Sequence, residues 1–265
     1  MQRAAFALQA GRPDEAELIA GDVLKQSPND VRAQHVVGYA RMLQGRARDA
    51  IPLLEKAARR TQDPAIETQL AMALRQDGRI DDALKQLDRV IRRQPSLPLA
   101  RLEKSSLLMS LGRDDEAVDV LECGLSLSPR SGELAIQLGA IFAARSDNAR
   151  ARDMLSRGLA EMPGHIDGLF SMARLMQSER EFAPAAGIYR QLLQAAPQEA
   201  AFRIGLGVCQ LELGEEEAGV ENLRIAARAN ERLYYETIAA LASAGRGRFF
   251  LKPSAAAQFL RQSKS

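Results

Sequence analysis

Apolar residues along the chain fall into columns that return at a fixed spacing. A small residue stands at Ala16, Ala50, Ala83, Ala117, Ala151, Ala185 and Gly219, at intervals of 34, 33, 34, 34, 34 and 34 residues. Four residues after each comes a larger apolar position: Ala20, Leu54, Leu87, Leu121, Leu155, Tyr189 and Leu223. Three further on stand Val23, Ala57, Val90, Gly124, Gly158, Leu192 and Ala226. Residues so spaced share one face of an α-helix, so the columns predict one amphipathic helix per unit. A second stripe lies upstream of it, at Val37-Gly38, Leu70-Ala71, Leu138-Gly139, Met172-Ala173 and Leu206-Gly207. The small residue there lets two helix backbones come close.

Polar and conformationally special residues punctuate the stripes. Five residues before each small residue lies Gly11, Gly45, Gly78, Gly112, Ser146, Arg180 or Gly214. Glycine takes the positive φ that ends a helix tightly, which predicts a sharp turn between the two helices. Twelve residues after the small residue stands a proline in five units, Pro28, Pro95, Pro129, Pro163 and Pro197. Proline cannot continue the helix, so the chain turns into the next unit. Acidic runs such as Asp81-Asp82 and Glu215-Glu216-Glu217 mark first turns, where they complement the helix dipole. The unit is helix, tight turn, helix, proline-marked turn. A chain that repeats at this period is a stack of similar units rather than a globule around one core.

These columns, with their turn glycines and closing prolines, resemble the tetratricopeptide repeat family over about residues 1–233, in some seven repeats. The resemblance implies an all-α, right-handed superhelical solenoid spanning residues 1–245, closed by a C-terminal capping helix, with residues 246–265 as a basic amphipathic tail. The chain departs from the family pattern at Arg41 and Gln210, where tyrosine is favoured. Its second unit is one residue short and replaces the closing proline by Asp63-Pro64.

Little in the chain suggests catalysis. Histidine occurs only at His35 and His165, and no glycine-rich phosphate loop or metal-ligand spacing is present. The two cysteines, Cys123 and Cys209, read as small buried residues in distant repeats. No cofactor is expected. With 36 basic and 34 acidic residues, the net charge of +2 argues against nucleic acid as a partner. No apolar run reaches the length of a membrane span, and the apolar N-terminal stretch is too short for a signal peptide and already in repeat register, so the expected location is cytoplasmic.

The function that the resemblance implies is a non-catalytic scaffold that binds a protein or peptide in a concave groove lined by the first helix of each unit. Positions 2, 5, 9 and 12 of the units starting at Val31, Pro64, Pro98, Gly132, Ile166 and Ala200 would face that groove. The residues singled out on these positions are Arg32, His35, Tyr39, Met42, Met72, Arg75, Met109, Phe170 and Arg174. Methionines adapt to irregular apolar ligands, aromatic rings make rigid anchors, and arginines hold carboxylates. Several of these residues can equally pack between adjacent units. The two-carboxylate clamp of chaperone-binding members is absent, because its positions carry His35, Tyr39, Gln69, Leu99 and Glu103. The tail, with Phe249, Phe250, Phe259 and Leu260 among five basic residues, reads first as a cap on the last repeat and second as a dock for an anionic membrane or acidic partner. A peripheral membrane adaptor and a recruiting partner of a separate enzyme such as a transferase are the alternative functions.

Overall fold

Helices begin where the columns place the starts of units. The computed structural model of the chain describes residues 1–228, 231–243 and 255, and among them every regular element is a helix. The order is α1 (Gln2–Gln9), α2 (Pro13–Gln26), α3 (Val31–Leu43), α4 (Ala47–Thr61), α5 (Pro64–Gln76), α6 (Ile80–Arg93), α7 (Pro98–Ser110) and α8 (Asp114–Leu127). It continues with α9 (Gly132–Ala144), α10 (Asn148–Glu161), α11 (Ile166–Ser178), α12 (Phe182–Ala195), α13 (Ala200–Leu213), α14 (Glu216–Ala227) and α15 (Glu231–Ser243). The structure divides into two compact units, Met1–Leu134 and a second beginning at Ala135. Each is a stack of antiparallel helix pairs with apolar stripes turned inward. The first unit's main cluster is built from Ala50, Leu54, Leu70, Leu87, Val90 and Leu107. In the second, Ala185, Tyr189, Leu192, Phe202 and Leu206 do the same.

Helix starts have individual chemical causes. Asp30, Asp63 and Asp147 each accept a backbone N–H of the following first turn, at 2.8, 2.8 and 3.2 Å. His165 is half-buried and caps α11 through Nδ1, which accepts the Gly168 N–H at 3.1 Å. At the far end, α15 packs on α13 and α14. Leu241 is fully buried there, with Ile238 against Leu211, Val220 and Leu223. This packing buries apolar surface of α13 and α14. The expected tail, residues 246–265, lies outside the described residues, Ala255 excepted.

All seven turn positions adopt positive φ. The five glycines range from 68 to 84°, and Ser146 and Arg180 stand at 59 and 64° in the same left-handed region. A side chain there costs about 1–2 kcal/mol, part of which glycine returns through its freer unfolded state. Ser146→Gly should therefore raise stability by about 0.5–1 kcal/mol, and Gly45→Ala should lower it by a similar amount. A Cβ at Gly45 would meet no atom within 4 Å, so the loss would be conformational rather than steric. Denaturant unfolding of both variants checks the pair of signs.

Candidate functional site

The first-helix faces of the two units hold the residues expected to meet a partner. In the first unit, α3, α5 and α7 present Arg32, His35, Tyr39, Met72, Arg75 and Met109. Polar contacts tie neighbouring helices together along this row. The Nε2–H of His35 donates to Gln69 Oε1 at 2.6 Å, joining α3 to α5. Arg75 reaches Glu103 on α7 at 3.6 Å. Burial pushes the Glu103 carboxyl above its usual range, and the nearby Arg75 charge offsets this only in part. Tyr39 is half-buried, packs on the apolar cluster and lies 6.4 Å from the His35 ring. Arg32 is exposed, and Met109 keeps 36% of its surface in solvent.

Three candidates carry packing contacts within their unit, and one of them is buried. Met42 is 5% exposed and belongs to the core cluster with Ile51, Leu54 and Ile66, so it lines no groove. An unbranched apolar side chain at that position turns inward, whereas Arg75, at the corresponding place in α5, keeps its charge partly in water. Met72 packs its apolar length on the same cluster. In the second unit, Phe170 lies edge-on to Tyr189 at 6.2 Å and 5.2 Å from the Phe202 ring, committed to packing across α11, α12 and α13. Its neighbour Arg174 is exposed, with its guanidinium 5.8 Å from the Phe170 ring centre.

Buried polar residues reveal a device that column reading missed. Six residues after a closing proline, a side chain reaches back to that proline's carbonyl. Gln34 Nε2 donates to Pro28 O at 2.8 Å, Arg101 Nε to Pro95 O at 2.9 Å, and Arg203 Nη2 to Pro197 O at 2.9 Å. Arg101 adds a bond to Val120 O at 3.1 Å and is only 5% exposed. The sequence signal is a long donor side chain six residues beyond the proline. The units after Pro129 and Pro163 carry Ala135 and Leu169 there instead. At the equivalent position of the third unit, which has no closing proline before it, buried Glu67 pairs with Arg93.

The departures at Arg41 and Gln210 are explained in the same way. Arg41 pairs with Glu17 at 2.8 Å, and Arg46 reaches the other carboxylate oxygen at 2.9 Å. Burial works to raise the Glu17 pKa, but hydrogen bonds from Arg41 and Gln44 and the charges of Arg46 and Arg41 outweigh it and hold the carboxyl low. Gln210 donates to Glu215 at 3.1 Å and accepts from Asn222 at 2.8 Å. Polar bridges thus join adjacent helices, α2 to α3 and α13 to α14, where the family favours an aromatic ring.

The described residues hold no group of three or more His, Cys, Asp or Glu side chains that could bind a metal ion. Burial pushes the Cys209 thiol up to about 11, which keeps it protonated and unreactive near neutrality, while Cys123 is exposed. None of the described helices is long and apolar enough to cross a membrane.

Comparison with known proteins agrees with this geometry. A tetratricopeptide-repeat family model matches residues 4–65, 68–131 and 170–234. Among curated proteins, the chain is similar to a BBSome complex member BBS4 homolog of Drosophila melanogaster, 26% identical over 114 residues. That match covers 41% of this chain and spans only about a quarter, 24%, of the relative's length. Among solved structures, a tetratricopeptide repeat protein from Parabacteroides merdae superposes with a TM-score of 0.63 at 15% identity, covering 90% of this chain and 96% of that one. A chain of the APC/C hetero-tetramer Cut9–Hcn1 gives 0.71 at 16% identity, covering 88% of this chain and 48% of that one. These likenesses show the fold. The sequence match extends over well more than half of the chain, in the register of the helix pairs described above, and the chain belongs to the tetratricopeptide repeat family.

Proposed function

We propose that the chain is a non-catalytic scaffold whose first-helix faces hold a segment of a partner protein. Repeats of this family generally serve as protein-interaction scaffolds. The observation that carries the reading is the row across α3, α5 and α7. Arg32, His35, Tyr39, Arg75 and Met109 keep polar or apolar surface at the face although the cores beneath them are already filled. A half-buried ring beside flexible and charged side chains is the composition of an interface centre with a polar rim.

Affinity capture with mass spectrometry identifies the partner, and the double variant Tyr39→Ala/Arg75→Ala then tests the site. Truncating such anchors commonly costs roughly 1–4 kcal/mol of binding, so the affinity for the captured partner should fall at least about tenfold with the helical signal and melting temperature retained. Unchanged affinity in the folded double variant would remove this face from the interaction.

A further inference from the structure

The second unit carries, on its own first-helix face, a small cavity of about 240 Å³ between α9 and α11. Ala140, Ala143 and Ala144 form one wall, and Ser171, Arg174 and Ser178 bring the polar groups. The cavity lies below the roughly 300–1,000 Å³ of sites that enclose a cofactor or metabolite; its volume suits a single side chain. Ala140 and Ala143 leave the space open because their side chains end at Cβ.

The polar lining has one sign. No acidic residue lines the cavity. Among the described residues, Arg174 has no ion-pair partner, and its guanidinium lies over the Phe170 ring. That ring is itself fixed by Tyr189 and Phe202, so the guanidinium is placed by a packed aromatic rather than by a carboxylate. Ser171, one helical turn before Arg174 and therefore on the same face of α11, is half-buried and has no hydrogen-bond partner for its hydroxyl among the described residues. The Ser178 hydroxyl is already occupied, donating to Leu175 O at 2.7 Å. A guanidinium and a hydroxyl with unused donors, against a wall of alanine methyls, match a group that only accepts hydrogen bonds and carries negative charge.

We infer that this cavity is a specificity pocket for one aspartate or glutamate side chain of the partner polypeptide. The inference rests on the proposal that first-helix faces hold a polypeptide, and it adds a required acidic residue. The two-carboxylate clamp of chaperone-binding members would fall on His35, Tyr39, Gln69, Leu99 and Glu103 of the first unit, and shares no residue with this pocket.

Panning a phage-displayed random peptide library on the full chain and on Arg174→Ala tests it. Peptides recovered on the unaltered chain should share an acidic residue at a fixed place, and the preference should vanish on the variant. A selected peptide should bind the unaltered chain about tenfold more tightly than Arg174→Ala, as expected for a lost charge-assisted hydrogen bond. Changing the peptide's acidic residue to its amide should cost the same on the unaltered chain and nothing further on the variant. Arg174→Lys should keep part of the preference, and this arm and the peptide substitution decide the matter if Arg174→Ala melts early. Bound peptides without an acidic preference, or with one that persists in Arg174→Ala, overturn the pocket and leave the scaffold reading standing. Recovery of no peptides from either protein overturns both.

Discussion

Gly205→Ala should destabilise the C-terminal unit by about 1–3 kcal/mol, the usual cost of forcing extra volume into a filled core. A Cβ at Gly205 would overlap the ring of Tyr189. That ring stands in a column otherwise held mainly by leucine, at Leu54, Leu87, Leu121, Leu155 and Leu223. It is 1% exposed, its hydroxyl donates to Gln177 Oε1 at 3.0 Å, and its edge meets Phe170, so it has nowhere to retreat. Burial holds the phenol pKa well above its ordinary value, so the hydroxyl remains a donor at neutral pH. The large residue on α12 and the missing side chain on α13 are two halves of one exchange of volume. Tyr189→Ala should cost about 3–5 kcal/mol, as deletion of a buried ring does. Tyr189→Leu restores the column residue and makes room at Gly205. The double variant Tyr189→Leu/Gly205→Ala should therefore be more stable than the sum of the single changes by about 0.5–3 kcal/mol. Denaturant unfolding of the four proteins measures that coupling, and simple additivity would disprove the exchange.

An effect of similar size is expected at Arg101. Arg101→Ala should lose about 2–4 kcal/mol, because it removes the donor to Pro95 O and the second donor to Val120 O, and opens a cavity where the buried side chain lay. The first term is the loss of two charge-assisted hydrogen bonds, and the second, the larger, is lost packing. Gly124 belongs to the same arrangement. A Cβ there would stand 2.7 Å from Arg101 Cδ and 2.9 Å from Leu134 Cδ1, so glycine makes the space that the arginine occupies. Arg101→Met removes the donors while filling much of the volume, and should fall between the unaltered chain and Arg101→Ala. Amide hydrogen exchange should show the Pro95–Pro98 turn opening more readily in both variants. Unfolding midpoints that match the unaltered chain would show that water replaces the guanidinium at no cost.

Neither of these devices was visible in the columns, and the reason is geometric. A column records what one position contributes to its own helix face. The space facing Tyr189 is decided by Gly205, on the next helix, and the acceptors of Arg101 lie in a preceding turn and on α8. In one dimension Gly124 reads as a weak member of an apolar stripe, and Arg101 as a charge for the surface. The candidate site divides in the same way. The spacing placed Arg32, His35, Tyr39, Arg75 and Arg174 on first helices, where the structure has them exposed or half-buried. It could not separate Met42 from them, because a helix position fixes the direction of a side chain but not whether a neighbouring helix covers it.

The sequence by itself determined the helix-pair architecture. Its period, turn residues and closing prolines are local signals, and each acts on φ or on the backbone N–H of its own segment. Thus the expected unit starts at Val31, Pro64, Pro98, Gly132, Ile166 and Ala200 coincide with the first residues of α3, α5, α7, α9, α11 and α13. Ser146 and Arg180 show how strongly the period holds, since both take the left-handed turn without being glycine. Tertiary structure alone decided which polar side chains are buried, which apolar ones stay at the surface, and where Arg174 meets an open cavity rather than a carboxylate. Those outcomes depend on distances between helices 19 to 34 residues apart in the chain, as in the Arg101–Val120 and His35–Gln69 contacts. Close packing fixes such distances only once all the neighbouring side chains are in place.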